Sequence, residues 1–368
     1  MKFVYISLFI LLSVQSITAK TLNLDPKDSW VTQSVTLGDE INQQNPNPDP
    51  EDIWAMQWSR DSSRLAVGYY GGHFKVFDTS DMSLIFQDNQ STVPVRWFGW
   101  SPSGTRLAVG YVKGMIDIWD IMDGVKELSI PVGNVGSGPL TWSDDENYLF
   151  VGTGNIDGPT LRKYNVSDGN LIGSIYSGVF IDLAFLDNNN QGVALGYSFI
   201  IFVNPDTLTH EFVFIDNTVS PRRATAMSLH PSQEFIAIGY TSYQVEIWDL
   251  ETRQVIITLD AGMPFYDAYG VIDLAFNATG TRLFSVTYEG IIRSWDTSTW
   301  QLIEQTDVNS LILLADFSPD AQTVTYGDLE QGPQIFMRDL CDFVAPDVTT
   351  LLNIMPQANT FGEEAQIC

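Results

Sequence analysis

The sequence has little positive charge. Its 18 lysine and arginine residues stand against 45 aspartate and glutamate residues, which gives a formal net charge of −27. Nucleic acids and anionic membrane surfaces favour basic partners, so this composition argues against both. Histidine is also scarce, and His73, His210 and His230 fall in different parts of the chain. We therefore expect no histidine-based metal site and no cofactor.

Cysteine is nearly absent, since the chain contains only Cys341 and Cys368. In an oxidising compartment such a pair favours one disulfide, which would tie the C-terminal tail to the folded core. The alternative is a free, buried Cys341 beside a disordered C-terminal end. Neither residue has the neighbours expected of a catalytic thiol.

Long apolar runs are absent apart from one at the N-terminus. Lys2 precedes an apolar stretch over residues 3–12, and Ala19 provides a small residue for cleavage. This pattern predicts a secretory signal peptide over residues 1–19, and hence a secreted protein of the extracellular space or secretory-pathway lumen. A membrane anchor or a buried strand is the alternative, although the run is too short to span a bilayer. Three Asn-x-Ser/Thr triplets fit a glycoprotein: Asn89, Asn165 and Asn277.

Internal repetition is the strongest signal in the chain. A short strand-like phrase that ends in an aromatic residue and Asp recurs about every 43 residues, as in "DIWD" at 117–120 and "EIWD" at 246–249. Its seven copies, three of them weaker, end at Asp78, Asp120, Asn165, Asn204, Asp249, Asp296 and Asp339. A second phrase, "LAVGY" at 65–69 and 107–111, precedes it, with shorter copies at 194–197 and 237–240. Each unit has room for four short strands, which predicts a radially repeated antiparallel sheet.

These residues resemble the WD40-repeat family over about residues 52–341. The resemblance implies an all-β fold, a single seven-bladed β-propeller of four-stranded antiparallel blades. The family's usual Gly-His before the first strand is absent, so we expect apolar packing to hold the blades together. In the family an N-terminal strand commonly completes the last blade. Residues 30–37, "WVTQSVTL", would do so here, whereas a strand from 342–352 is the competing closure.

The predicted organisation has four parts. Residues 1–19 form the signal peptide, and 20–51 contain the closing strand and an Asn/Pro-rich linker. Residues 52–341 form the propeller, and 342–368 form a C-terminal tail.

Catalytic motifs are weak. Asp182 and Asp273 recur in two copies of "IDLAF", on strands that would line the central channel. Paired carboxylates could serve acid–base chemistry or hold a cation, but copying between repeats explains them equally well. We expect a non-enzymatic protein. An extracellular hydrolase or lyase that uses channel carboxylates is a lesser alternative.

Two loops between repeats suggest a binding face. Residues 259–271 and the Arg-Arg pair at 222–223 supply the residue types that are enriched at interface hot spots. The candidates are Arg222, Arg223, Met263, Phe265, Tyr266 and Tyr269. The opposing interpretation is that these aromatics fold back on the core edge. We expect a binding or scaffold propeller that recognises a protein or peptide partner, with a lectin-like carbohydrate-binding propeller as the alternative.

The tyrosines that end the "LAVGY"-like strands allow two interpretations. Tyr69, Tyr111, Tyr197 and Tyr240 should all emerge at one end of the ring. Packing between blades is one role, and an aromatic collar that contributes to the binding face is the other. The exposure of these rings distinguishes the two.

Overall fold

A computed structural model describes residues 50–133, 136–153, 160–176, 178–186, 191–215, 222–262, 269–328 and 335–340. The described residues all fall within one compact unit, Leu37–Cys368. Four sequence predictions fall on residues outside the described ranges. They are the signal peptide, the closing strand at 30–37, the tail at 342–368 and the Cys341–Cys368 pair.

The described residues form 27 β-strands, which we group in chain order into six blades and one further sheet. Blades 1 and 2 contain β1 (Ile53–Trp58), β2 (Arg64–Tyr69), β3 (Phe74–Asp78), β4 (Leu84–Asp88), β5 (Val95–Trp100), β6 (Arg106–Tyr111), β7 (Met115–Asp120) and β8 (Val125–Pro131). Blades 3 and 4 contain β9 (Ser137–Trp142), β10 (Tyr148–Thr153), β11 (Leu161–Asn165), β12 (Leu171–Ile175), β13 (Phe180–Leu186), β14 (Gln191–Gly196), β15 (Phe199–Val203) and β16 (His210–Phe214). Blades 5 and 6 contain β17 (Ala224–Leu229), β18 (Phe235–Tyr240), β19 (Gln244–Asp249), β20 (Val255–Asp260), β21 (Val271–Phe276), β22 (Arg282–Thr287), β23 (Ile291–Asp296) and β24 (Leu302–Asp307). The further sheet contains β25 (Ile312–Phe317), β26 (Thr323–Asp328) and β27 (Ile335–Asp339).

Each blade is an antiparallel meander in which consecutive strands pair, and the chain is an all-β propeller. The number of blades differs from the sequence prediction. Six blades have four strands, whereas β25, β26 and β27 form a three-stranded sheet. The prediction of seven four-stranded blades is therefore wrong. It rested on counting the Asp-ended phrase, which marks third strands and recurs in β27, but within the described ranges no fourth strand pairs with β27.

The first strands of the six blades and β25 lie side by side around a central channel, with β25 next to β1. Indole groups join neighbouring sheets along this ring. The Nε1 of Trp100 donates to the carbonyl oxygen of Gln57 at 3.1 Å, and that of Trp142 donates to Gly99 at 2.8 Å. Trp58 makes the same bond, at 3.2 Å, to the carbonyl oxygen of Asp316 on β25. The ring is thus closed between its first and last described sheets.

The repeated "LAVGY" phrase forms second strands, and its glycine has a packing role. A Cβ atom on Gly68 would lie 2.5 Å from Val95 Cγ1 of the next blade, and one on Gly239 would lie 2.6 Å from Val271 Cγ1. No real side chain tolerates such distances without movement of its neighbour. Glycine is therefore needed at this position, because the first strand of the next blade packs directly against it.

A polar residue fixes the turn between the first and second strands. Ser59, Ser101 and Ser143 each accept a hydrogen bond, at 2.9–3.1 Å, from the backbone N–H five residues further on. Asn277 does the same through its Oδ1 at 2.9 Å. His230 occupies this position in blade 5, where its Nε2 lies 2.9 Å from the carbonyl oxygen of Gly280. These side chains have a structural role in the turns.

Candidate functional site

Antiparallel pairing places two kinds of connection at the same end of the propeller. They are the turn between the second and third strands of each blade and the connection to the next blade. We call this end the loop face, and the opposite end the turn face. All the binding residues predicted from the sequence and described in the structure lie at or near the loop face.

The tyrosines of the "LAVGY"-like strands are packed rather than displayed. Tyr69, Tyr111 and Tyr240 have relative exposures of 0%, 2% and 0%. The ring of Tyr69 stacks on His73, with ring centroids 4.2 Å apart. Tyr197 is half-buried. Their burial favours packing over an exposed aromatic collar.

Arg222 belongs to a buried polar network. Its Nη2 lies 2.7 Å from Glu246 Oε1, and the two side chains are only 13% and 6% exposed. The other oxygen of Glu246 accepts hydrogen bonds from Tyr240 Oη at 2.7 Å and Trp248 Nε1 at 3.1 Å. Burial, together with the charge of Glu246, raises the pKa of Tyr240, so its hydroxyl stays protonated and donates. The network ties the connection between blades 4 and 5 to the core of blade 5.

Arg223 and Tyr269 lie closer to the surface. The guanidinium of Arg223 lies over the ring of Tyr197, 5.6 Å from its centroid. Tyr269 stacks on Tyr288, with centroids 4.2 Å apart and planes inclined by 15°. Both residues are half-buried. The structure does not bring them together with the other loop candidates, because Met263, Phe265 and Tyr266 lie outside the described residues.

A cleft opens on the loop face at the rim of blade 1, with a volume of about 450 Å³. Its walls include Glu51, His73, Lys75, Gln87, Asn89 and Ser91. The Nε2 of His73 lies 3.5 Å from Glu51 Oε2. Burial lowers the pKa of His73, although the charge of Glu51 opposes that shift, so the ring is neutral at physiological pH.

Sequence reasoning missed this cleft for an identifiable reason. Lys75 lies on β3 two residues before the aromatic residue of the Asp-ended phrase, where blades 2 and 5 carry Asp117 and Glu246. Blades 3 and 6 carry Arg162 and Arg293 at the same position, so the sequence gives no distinctive signal at Lys75. Its pairing with Gln87 on β4 follows from the strand register, which is seen only in the fold.

The three glycosylation candidates divide between the two faces. Asn89 is exposed and lies at the cleft on the loop face. Asn165 and Asn277 lie in turns on the turn face, where both side chains already serve as hydrogen-bond partners. Sugar at the latter two sites would leave the loop face open, whereas sugar at Asn89 would occupy the cleft.

Three carboxyl groups lie on the strands around the central channel. Asp182 and Asp273 occupy matching positions on β13 and β21, and Asp316 lies on β25. Each accepts a backbone hydrogen bond: Asp182 from Leu183 at 2.7 Å, Asp273 from Phe317 at 3.0 Å and Asp316 from Trp58 at 2.7 Å. The last two bonds join neighbouring sheets.

These acids resist ionisation. Burial raises the pKa of Asp182 to about 6 and that of Asp273 to about 7. Burial also raises the pKa of Asp316, with further contributions from the charges of Asp273 and Asp182. The mutual repulsion shows that the three groups share one electrostatic environment. The sequence predicted Asp182 and Asp273 on strands that line the channel, and the structure adds Asp316.

No group of three or more His, Cys, Asp or Glu side chains within the described residues is arranged to hold a metal ion. The same residues include no helix long and apolar enough to cross a membrane.

The fold and its channel define the class of protein, a β-propeller with a loop-bearing face. No protein-family model matches the chain, and no curated protein matches it.

Proposed function

We propose that the protein is an exported, non-catalytic propeller of the WD40-repeat type that binds a protein or peptide partner through its loop face. The cleft at blade 1 carries the proposal, because groups of both charges and two side-chain amides surround an open space there. Propellers present their loops on a rigid scaffold, which suits recognition rather than movement. The repeat spacing and the Trp-Asp ends of β7, β19 and β23 support the WD40 type.

The chemistry of the cleft suits a peptide. Gln87 offers a donor and an acceptor that match a peptide main chain, and the proposal requires that Asn89 carries no sugar. Glu51 and Lys75 provide opposite charges for the flanking side chains of the partner.

Selection of peptides from a displayed library on the immobilised full chain tests the proposal. Selected peptides should bind the unmodified protein and lose at least about tenfold in affinity on the double variant Glu51→Ala/Lys75→Ala. Arg60→Ala is the matched control, since Arg60 is an exposed cation near the turn face, and it should bind as the unmodified protein does.

Two results would overturn the proposal. One is selected peptides that bind the cleft variant unchanged, which would place recognition elsewhere. The other is the recovery of no peptide together with binding of defined sugars on a glycan array, which would establish the lectin-like alternative. Melting temperatures of both variants are needed, because a loss of folding would imitate a loss of binding.

A further inference from the structure

Two Asp-Gly dipeptides lie in corresponding turns of the turn face, away from the cleft. The sequence contains Asp-Gly at 123–124, 157–158 and 168–169, and residues 157–158 lie outside the described ranges. The first and last copies each fall in the turn between the third and fourth strands of a blade, in blades 2 and 3. Their aspartates are exposed, and their glycines have positive φ angles of 66° and 72°. They therefore form a matched pair of turns.

Asp-Gly is chemically special, because glycine has no side chain to hinder attack by its own nitrogen on the preceding carboxyl group. In blade 3 both of these groups are engaged. The N–H of Gly169 donates to the carbonyl oxygen of Asn165 at 2.9 Å. The carboxylate of Asp168 accepts from the backbone N–H of Asn170 at 3.0 Å and from its side-chain amide at 2.8 Å. Attack in this turn requires these bonds to be given up.

The corresponding groups of blade 2 have no such bonds. Within the part of the chain that the structure describes, the carboxyl group of Asp123 accepts no hydrogen bond and the N–H of Gly124 donates none. The length of the turn gives the reason. Residues 121–124 join β7 to β8, whereas the longer turn 166–170 joins β11 to β12. The bond that Gly169 makes recurs only in longer turns of this kind, at Leu208, Arg253 and Trp300.

We propose that Asp123 is a site of spontaneous isomerisation to isoaspartate, and that the turn of blade 3 protects Asp168 from the same reaction. The nitrogen of Gly124 bonds to Cγ of the protonated Asp123 carboxyl, and the carboxyl hydroxyl leaves with the amide proton as water. Water then opens the succinimide ring. Opening at the original peptide carbonyl carbon breaks its bond to the nitrogen and leaves the main chain running through Cγ. Opening at Cγ restores aspartate.

Isoaspartate adds one methylene group to the main chain of this short turn. The N–H groups of Met122 and Asp123 both donate to Asp120 Oδ1 at 2.9 Å, so the turn is held closely to the end of β7. The Sδ of Met122 also lies 3.3 Å from Nη2 of Arg64 in blade 1. The modification therefore disturbs a contact between blades 1 and 2 at the turn face and leaves the loop face unchanged.

Incubation of the full chain in water enriched in oxygen-18, at mildly acidic pH, tests the proposal. Each ring opening adds one heavy oxygen atom, so mass spectrometry of proteolytic fragments reports the reaction at each aspartate. A parallel incubation in denaturant gives the rate of each dipeptide without the fold. Folding should slow labelling at Asp168 by at least about tenfold, because its hydrogen bonds must be broken first. Labelling at Asp123 should stay close to the rate of the unfolded chain.

Two variants locate the reaction. Asp123→Glu should abolish labelling at position 123, because glutamate would have to close a larger ring. Asn170→Ala removes one donor to Asp168 and should raise labelling there severalfold while leaving Asp123 unchanged. The chain is produced without glycosylation, so that sugar at Asn165 does not shield the neighbouring turn. Melting temperatures show that each variant is folded.

The proposal is wrong if folding slows both positions equally, or if Asp168 is labelled faster than Asp123 in the folded chain. It is also wrong if position 123 yields only aspartate when its fragment is examined by electron-transfer dissociation, which distinguishes isoaspartate from aspartate. None of these outcomes depends on peptide binding, so the proposed function is tested separately.

Discussion

The backbone nitrogen of Trp58 donates a hydrogen bond of 2.7 Å to Asp316 Oδ2, although 258 residues separate the two in the chain. The indole of Trp58 strengthens the same contact, since its Nε1 reaches both the carbonyl oxygen of Asp316 and the hydroxyl of Thr325, the latter at 3.0 Å. One residue of the first blade thus joins the inner and second strands of the last described sheet.

Trp58→Phe should lower the free energy of unfolding by about 1–3 kcal/mol, because the buried acceptors lose their indole donor and the smaller phenyl ring leaves unfilled space. Urea denaturation followed by fluorescence measures the loss. Trp142→Phe removes a single indole bond, to Gly99, within the ring and is the control. An unchanged urea midpoint for Trp58→Phe would show that the indole does not hold the closure.

The channel acids should contribute stability that is lost as the pH rises from about 4 to about 7. The three channel acids have higher pKa values in the folded protein than in an unfolded chain. The pKa is raised to about 6 for Asp182 and to about 7 for Asp273. Within this window the folded state therefore binds more protons than the unfolded state, and each rise in pH favours unfolding. Below the window both states are protonated and the contribution is fully present.

The measurement is the melting temperature across this pH range, compared with that of Asp273→Asn. The substitution should flatten the profile, since an amide does not titrate. A profile that rises steadily toward alkaline pH in the unmodified protein, unaffected by the substitution, would contradict the prediction.

Gly68→Ala should destabilise the protein by about 1–3 kcal/mol through overpacking. The new Cβ would lie 2.5 Å from Val95 Cγ1 and 2.8 Å from Val95 Cβ, so the next blade would have to move. Gly327→Ala is the control, because a Cβ there meets no atom of the described residues within 4 Å. Equal urea midpoints for the two variants would refute the close approach between blades 1 and 2.

Arg222→Ala should cost about 3–5 kcal/mol, because it leaves the carboxylate of Glu246 buried without its cation. Arg60→Ala breaks an ion pair whose side chains are 49% and 57% exposed, and it should cost less than about 1 kcal/mol. Thermal and urea unfolding measure both. A small effect of Arg222→Ala would mean that the tyrosine and tryptophan donors alone stabilise Glu246.

Much of the fold was predictable because the repeat marks strand positions directly. The Asp-ended phrases at 117–120 and 246–249 lie within β7 and β19, and the "LAVGY" phrases at 65–69 and 107–111 lie within β2 and β6. The count of four-stranded blades was wrong, since a third strand with the right phrase does not require a fourth strand beside it.

The candidate site was less predictable, because its properties depend on neighbours that are distant in sequence. The strand pattern placed Tyr240 at the correct end of the ring, yet its burial is seen only once Glu246, Trp248 and Arg222 surround it. Asp316 was not predicted as a channel acid, because it lies in "LLADF" and not in a copy of "IDLAF". Its approach to the other acids is a result of ring closure.

Ring closure also sets an order of events during synthesis. β1 leaves the ribosome early, whereas Asp316, the partner of Trp58, is made 258 residues later. At ordinary translation rates this delay is on the order of tens of seconds. The side of β1 that finally packs against β25 must wait through that interval with its apolar residues uncovered, so the newly made chain has a period in which a chaperone would protect it from association with other chains.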